Sequence, residues 1–389
     1  MKPLHIGIVF VSLNHAIFSG MRLAVALAAI NLQASPMVVG MVTATFAVLP
    51  MLGSIQLGRY VDRHGSRSLN LICVILLACA ALLASFVPHV AALAVAGAVV
   101  GGAFMTTHIM NQQMVGQQSK PETRTANFAL AATGIAASAT LSPMLTGFAI
   151  DHVGFNWAFL LLALLPLLAM QFVLFKKLPE LKPRPAPAKA TAQGKITDLL
   201  RDPKLRHIYL INVVFAASWD IFLFMTPLYG ASLQISASQI GGIISCFSGA
   251  TFVIRLFAAP ISRRFSSWQI ILICMVINGT SCLIFGMVDI VPLMMIFAFT
   301  MGLGHGLANP TTNTLLYESS PPGRTSEVIG LRTSVGMSLQ VALPLVAGAL
   351  GALIGIAPLF WFIATLQIGS AYASRSNWHP AGRSKSSPR

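Results

Sequence analysis

Charge is scarce in this sequence. Asp, Glu, Lys and Arg together make up 9% of its 389 residues, where an ordinary soluble domain carries about a quarter. A soluble chain of this length would have too little charge to dress its surface. Acidic residues are the scarcer sign, at 10 against 25 Lys and Arg, which leaves a formal net charge of +15. That excess does not signal nucleic acid, because it forms no dense basic run interleaved with aromatics and no zinc-finger spacing accompanies it. The cysteines Cys73, Cys79, Cys246, Cys274 and Cys282 all fall in apolar stretches, with no Cys-x-x-Cys pair and no His-x-x-His partner. Neither a disulfide framework nor a metal site is read from them, and no cofactor is expected. There is no Gly-x-x-x-x-Gly-Lys loop to cradle a nucleotide and no His-Glu-x-x-His to hold a catalytic zinc. The chain does not read as an enzyme.

Hydrophobic residues fill 56% of the sequence, and the mean hydropathy is +0.77. A membrane span takes about 20 mostly apolar residues. That ruler gives segments at 5–30, 37–57, 69–87, 91–114, 126–150, 156–176, 207–230, 239–261, 268–287, 291–316, 327–353 and 356–373. The first imitates a secretory leader, but Asn14, His15 and Arg22 interrupt its apolar run, so it is read as the first span. With a cytoplasmic N-terminus, 22 of the 25 basic residues fall in cytoplasmic loops and tails, and the other three (Arg22, Arg255 and Arg332) lie within spans. Positive-inside bias this complete supports the count and the orientation, with both termini cytoplasmic; the expected location is a bacterial inner membrane, crossed many times. The Pro-, Lys- and Ala-rich stretch 177–206 is a linker between halves at 1–176 and 207–373, and 374–389 is a disordered tail.

Internal repetition accompanies the count. Gly58-Arg59-Tyr60-Val61-Asp62-Arg63-His64 recurs in degenerate form at Ala258-Ala259-Pro260-Ile261-Ser262-Arg263-Arg264, and Ser119-Lys120-Pro121-Glu122-Thr123-Arg124 faces Ser319-Ser320-Pro321-Pro322-Gly323-Arg324. Pro143 and Gly147 are echoed by Pro344 and Gly348. Parallel repeats of helices are a transporter architecture. The expected fold is an all-α membrane protein of 12 transmembrane helices in two pseudo-symmetric six-helix bundles.

Over about residues 5–373 the chain resembles the major facilitator superfamily. Residues 58–67 are similar to that family's Gly-x-x-x-Asp-Arg-x-Gly-Arg-Arg signature, with Ser66 replacing one Arg. The resemblance implies a conformational gate in which Gly58, Asp62, Arg63, Gly65 and Arg67 clamp the cytoplasmic side shut. Asp62 would meet the positive end of the eleventh span near Glu327 and Ile329, and Gly58 would let helices approach. Without the resemblance, Asp62 and Arg63 are solvated loop charges. The run Gly134…Ser138…Ser142-Pro143…Gly147 resembles the fifth-helix motif of proton-driven drug exporters, although close packing explains the same spacing. The fourth span lacks the Arg usual in such exporters and offers His108, Asn111 and Gln112 instead.

Ionisable groups inside a span are expensive and are functional candidates. Asp220, beside Trp219 in the seventh span, is the one acid placed deep in the bilayer, and burial against a neighbouring Arg would poise it to exchange a proton. Arg22 lies two turns after His15, and Arg332 lies in the eleventh span. Their guanidinium groups suit an anionic solute, while an Arg22–Asp220 ion pair is the structural alternative. Arg255 reads as structural or snorkelling. In the tenth span His305, Asn309 and Asn313 form a polar stripe, which must face protein or water. The resemblance implies that spans 1, 4, 7 and 10 line the cavity, and His15, His108, Asp220 and His305 fall one on each. The resulting expectation is a monomeric, proton-coupled secondary transporter working by alternating access on a small amphipathic, anionic solute. Export is preferred over uptake of a small organic acid or other nutrient. A membrane sensor of transporter descent is the alternative from another class.

Overall fold

In lipid every backbone N–H and C=O must be satisfied within the protein, and a continuous apolar run of about 20 residues does so by itself as a helix. The computed structural model describes residues 3–64, 66–120, 123–175, 178, 180–181, 196–321 and 324–375; the side chains of residues 3, 54–64, 125, 196–197, 200 and 326 are not among those described. Every regular element among these residues is helical: α1 (Pro3–Asn31), α2 (Pro36–His64), α3 (Arg67–Phe86), α4 (Val90–Gln118), α5 (Arg124–Leu174), α6 (Ile196–Arg201), α7 (Pro203–Ser232), α8 (Ala237–Leu256), α9 (Ala258–Arg264), α10 (Ser267–Phe285), α11 (Val291–Ser319), α12 (Thr325–Ile354) and α13 (Ala357–Ala373). Among the described residues ten helices are long and apolar enough to cross a membrane.

The difference from the expected 12 has a local cause. The 51 residues of α5 would reach about 76 Å as one straight helix, more than twice the apolar thickness of a bilayer. The fifth and sixth segments both lie in it, joined at Gly154, whose φ of 82° and ψ of 170° are not helical. Gly355, with φ 86°, stands 201 positions later and separates α12 from α13. Both positions need a left-handed backbone that glycine adopts without a Cβ clash. The helix α13, at 17 residues, is the remaining expected segment. The eighth segment is also shorter than expected, ending at Leu256 with α9 beginning afresh at Ala258; Pro260 has no N–H to continue the ladder.

The chain divides into two compact units. The first comprises Met1–Thr191, Leu223–Ser245 and Gln340–Ile354; the second comprises Ala192–Phe222, Cys246–Leu339 and Gly355–Arg389. In the first, α1 packs against α4 and α5, and α2 against α4, around buried side chains such as Ile8, Met110, Met114 and Val115. In the second, α10 packs against α11 and α13, over a core that includes Leu205, Ile208, Ile271, Met275, Leu316 and Val328. Large apolar side chains such as Phe86, Leu145 and Leu353 are exposed, as lipid-facing positions require.

The sequence repeat reappears in the packing. A Cβ on Gly101 of α4 would lie 1.9 Å from the Phe46 carbonyl oxygen on α2, and one on Gly302 of α11 would lie 2.2 Å from that of Phe247 on α8. Shifting the first pair by 201 residues produces the second. Only a side chain that is absent lets these backbones meet.

Candidate functional site

Two clusters of polar and aromatic side chains form, one in each unit. In the first unit His15 of α1 places Nδ1 2.8 Å from Ser138 Oγ on α5, and Ser138 donates to the Ile135 carbonyl at 2.7 Å. Because Ser138 spends its proton on that carbonyl, its oxygen accepts from the imidazole. Phe104 of α4 bridges two histidines, with ring centroids 5.2 Å from His15 and 5.7 Å from His108. His108 also meets Gln112 through Nε2 at 3.3 Å. Arg22, two turns beyond His15, is half-buried on α1. Asn14 is wholly buried, and neither of its amide atoms has a partner among the described residues.

In the second unit two of the three stripe residues on α11, His305 and Asn309, make hydrogen bonds. His305 is buried within an aromatic box: ring centroids lie 5.8 Å away for Phe215, 5.6 Å for Trp219 and 5.4 Å for Phe247. Its Nδ1 faces the Met301 carbonyl at 3.2 Å and its Nε2 faces the Phe215 carbonyl at 3.3 Å. A neutral imidazole donates to one of these oxygens, and an imidazolium donates to both. Trp219 packs edge-on to Phe247 at 4.8 Å, and Asp220, next along α7, is buried.

One turn further along α11, Asn309 takes part in a second arrangement. Arg332 of α12 donates from Nε to Asn212 Oδ1 on α7 at 2.8 Å and from Nη2 to Asn309 Oδ1. The seam between α7 and α12 is held beside it by the Tyr209 hydroxyl, which donates to the Val328 carbonyl at 3.0 Å. Both partners of Arg332 are neutral amides, and no carboxylate among the described residues pairs with it. Its positive charge is therefore positioned but not neutralised, a disposition suited to a bidentate anion.

Other expected residues fare differently. Arg255 donates from Nε to the Gly306 carbonyl at 3.4 Å, in keeping with a structural role. Gly65 lies outside the described residues, as do the side chains of Gly58, Asp62 and Arg63, so of the clamp only Arg67, at the start of α3, is described. Glu327, near the clamp's expected target, accepts from Arg324 at 2.6 Å. Sequence reasoning missed Asn212, Phe215 and Phe247. Asn212 had a signal, a lone amide in the apolar run Tyr209–Phe215; the two phenylalanines had none, since nothing distinguishes them from packing residues.

The sequence profile of the Major Facilitator Superfamily matches residues 4–337 and 208–373. Human Solute carrier family 67 member A1 is 27% identical over 345 residues, 82% of this chain and 79% of that protein. The Multidrug resistance protein MdtG of Klebsiella pneumoniae (strain 342) is 23% identical over 259 residues, 64% of this chain and 62% of that one. Among solved structures, the human organic anion transporter MFSD10 shares the fold with a TM-score of 0.64 at 18% identity, covering 95% of this chain and 98% of that chain. With its helices long and apolar enough to span a bilayer and a profile match running across both units, the chain belongs to the Major Facilitator Superfamily, a family of membrane transporters of small solutes.

Proposed function

We propose that this protein is a proton-coupled secondary transporter of small organic anions, exporting them by alternating access. The observation that carries the reading is Arg332. A guanidinium held by Asn212 and Asn309 keeps its full charge and is fixed in orientation before any solute arrives, which reduces the ordering that binding demands. Trp219, the half-buried member of the aromatic box around His305, offers an apolar face to the rest of such a solute. Asp220 is the proposed proton carrier, because a carboxyl in an apolar span is poised between its charged and neutral forms by whatever approaches it. Export is proposed from the fifth-helix resemblance and from the multidrug resistance protein among the relatives. The solved human neighbour is an organic anion transporter, but at 18% identity it supports the fold alone.

The experiment is ligand binding to purified protein, read as thermal stabilisation that rises with ligand concentration. Carboxylate-bearing amphipaths are expected to stabilise the wild type, and Arg332→Ala to weaken them 10- to 100-fold, the size of a lost charge-assisted hydrogen bond of about 1.5–3 kcal/mol. Asn309→Asp should act in the same direction, by placing a permanent carboxylate against the guanidinium. Stabilisation by lipophilic cations alone, unchanged in Arg332→Ala, would overturn the reading.

A further inference from the structure

The repeated residues Pro143, Gly147, Pro344 and Gly348 all lie at helix crossings in the first unit. A Cβ on Gly241 of α8 would stand 2.3 Å from the Pro143 carbonyl oxygen on α5, and one on Gly40 of α2 would stand 2.3 Å from that of Pro344 on α12. A Cβ on Gly147 would stand 2.1 Å from the Ala237 carbonyl oxygen, and one on Gly348 2.7 Å from that of Pro36. Each set is the other shifted by 201 residues, so α5·α8 and α2·α12 are one crossing built twice. The connections at this end of the helices, 32–35, 233–236 and 355–356, contain no Lys or Arg. By the positive-inside rule this is the outer end.

The two crossings differ in one respect. The first backbone N–H groups of a helix have no partner within it. At α8 the Ser236 N–H goes to Gln239 Oε1 at 3.3 Å and the Gln239 N–H to Ser236 Oγ at 3.3 Å. The two that remain, of Ala237 and Ser238, donate at 3.0 and 2.8 Å to the carboxylate of Asp151 on α5, and the Ser238 hydroxyl donates to it at 2.5 Å. At the start of α2, Ser35 Oγ accepts from Val38 N–H at 3.4 Å, while Pro36 has no N–H to satisfy. The position 201 residues after Asp151 is Ala352, whose side chain has no atom that accepts a hydrogen bond.

We propose that Asp151 is the positioning residue of the outward-closed state, a latch that joins α5 to α8 at the outer end and is released each time that end opens. The close glycine contacts supply the fit of both crossings. The carboxylate on the positive end of α8 supplies a preference for closure at one of them. Asp151 is exposed, so on release both it and the freed N–H groups are taken up by water. The latch is accordingly of N-cap strength and suits a contact that breaks in every cycle. It rests on the family's alternating access and is independent of the anion reading.

The test is a distance measurement on the full chain in lipid nanodiscs. Spin labels go on cysteines introduced at Val153 and Gln234, both exposed, with Cys79 and Cys246 replaced by serine. In the wild type the short separation should dominate. Asp151→Asn and Asp151→Ala should each raise the ratio of long to short separations roughly five-fold, the population change that corresponds to losing one helix cap. Thermal unfolding of the same variants separates this from a purely structural role. A lowered midpoint with an unchanged distance distribution overturns the proposal, as does any shift toward the short separation.

Discussion

Arg332, His305 and Asp220 illustrate three ways of keeping a polar side chain in an apolar span. Arg332 is satisfied by two neutral oxygens and keeps its charge. His305 lies between two backbone carbonyls and three aromatic rings, with each ring nitrogen facing an acceptor oxygen. Asp220 is buried on α7 beside Trp219. If Asp220 carries the coupling proton, Asp220→Asn removes the titrating group while preserving shape. Gradient-driven transport in proteoliposomes should fall to background in that variant, and exchange of solute for solute should persist. Full gradient-driven transport in Asp220→Asn would rule the role out. The candidate residues were legible because isolated polar side chains interrupt apolar runs. Their grouping was not: Asn212, Asn309 and Arg332 are drawn from three helices, and spacing along the chain says nothing about which helices touch.

At the scale of the element, the helix ends carry the clearest repetition. α1 and α7 are each followed, two residues past the last helical one, by a glutamine in the left-handed region, Gln33 at φ 59° and Gln234 at φ 60°. Each is closed by the same backbone pattern, Ala34 N–H to Ala29 O at 3.1 Å and Ile235 N–H to Gly230 O at 2.9 Å. That geometry usually selects glycine, since a Cβ in this region is disfavoured by about 1–2 kcal/mol. Gln234→Gly should therefore stabilise the protein by up to about 1 kcal/mol after the extra freedom of the unfolded chain is deducted. A raised thermal midpoint in detergent would bear this out, and a lowered one would show that the glutamine side chain makes a contact worth more than the strain. Some helix starts could be read directly, such as α10, where Ser266 and Gln269 form a reciprocal cap. The break at Gly154 could not be placed within a residue, because Asp151, Gly154 and Asn156 offer several turn-compatible positions in one stretch.

For the whole molecule, the charge pattern makes a claim about orientation that labelling can check. A cysteine introduced at Gln33 should react with a membrane-impermeant maleimide in intact cells, whereas one at Ser262 should react only after permeabilisation. Reversal of the two would place the basic loops outside and, with them, turn the proposed latch to the inner side.

Composition and patterning by themselves determined that this chain spans a membrane many times, which family it resembles, and which residues were worth suspecting. That follows because an apolar run of about 20 residues satisfies its own backbone in lipid as a helix, and because each polar interruption in such a run is visible one residue at a time. Tertiary structure alone decided the pairings: Arg332 with Asn212 and Asn309, His305 within its aromatic box, and Asp151 on the start of α8. These partners lie from 23 to 120 residues apart in the chain. Helices of similar hydropathy are interchangeable to a sequence reader, and what selects one neighbour over another is close backbone fit, as at Gly101 and Gly302, which exists only once the helices have met.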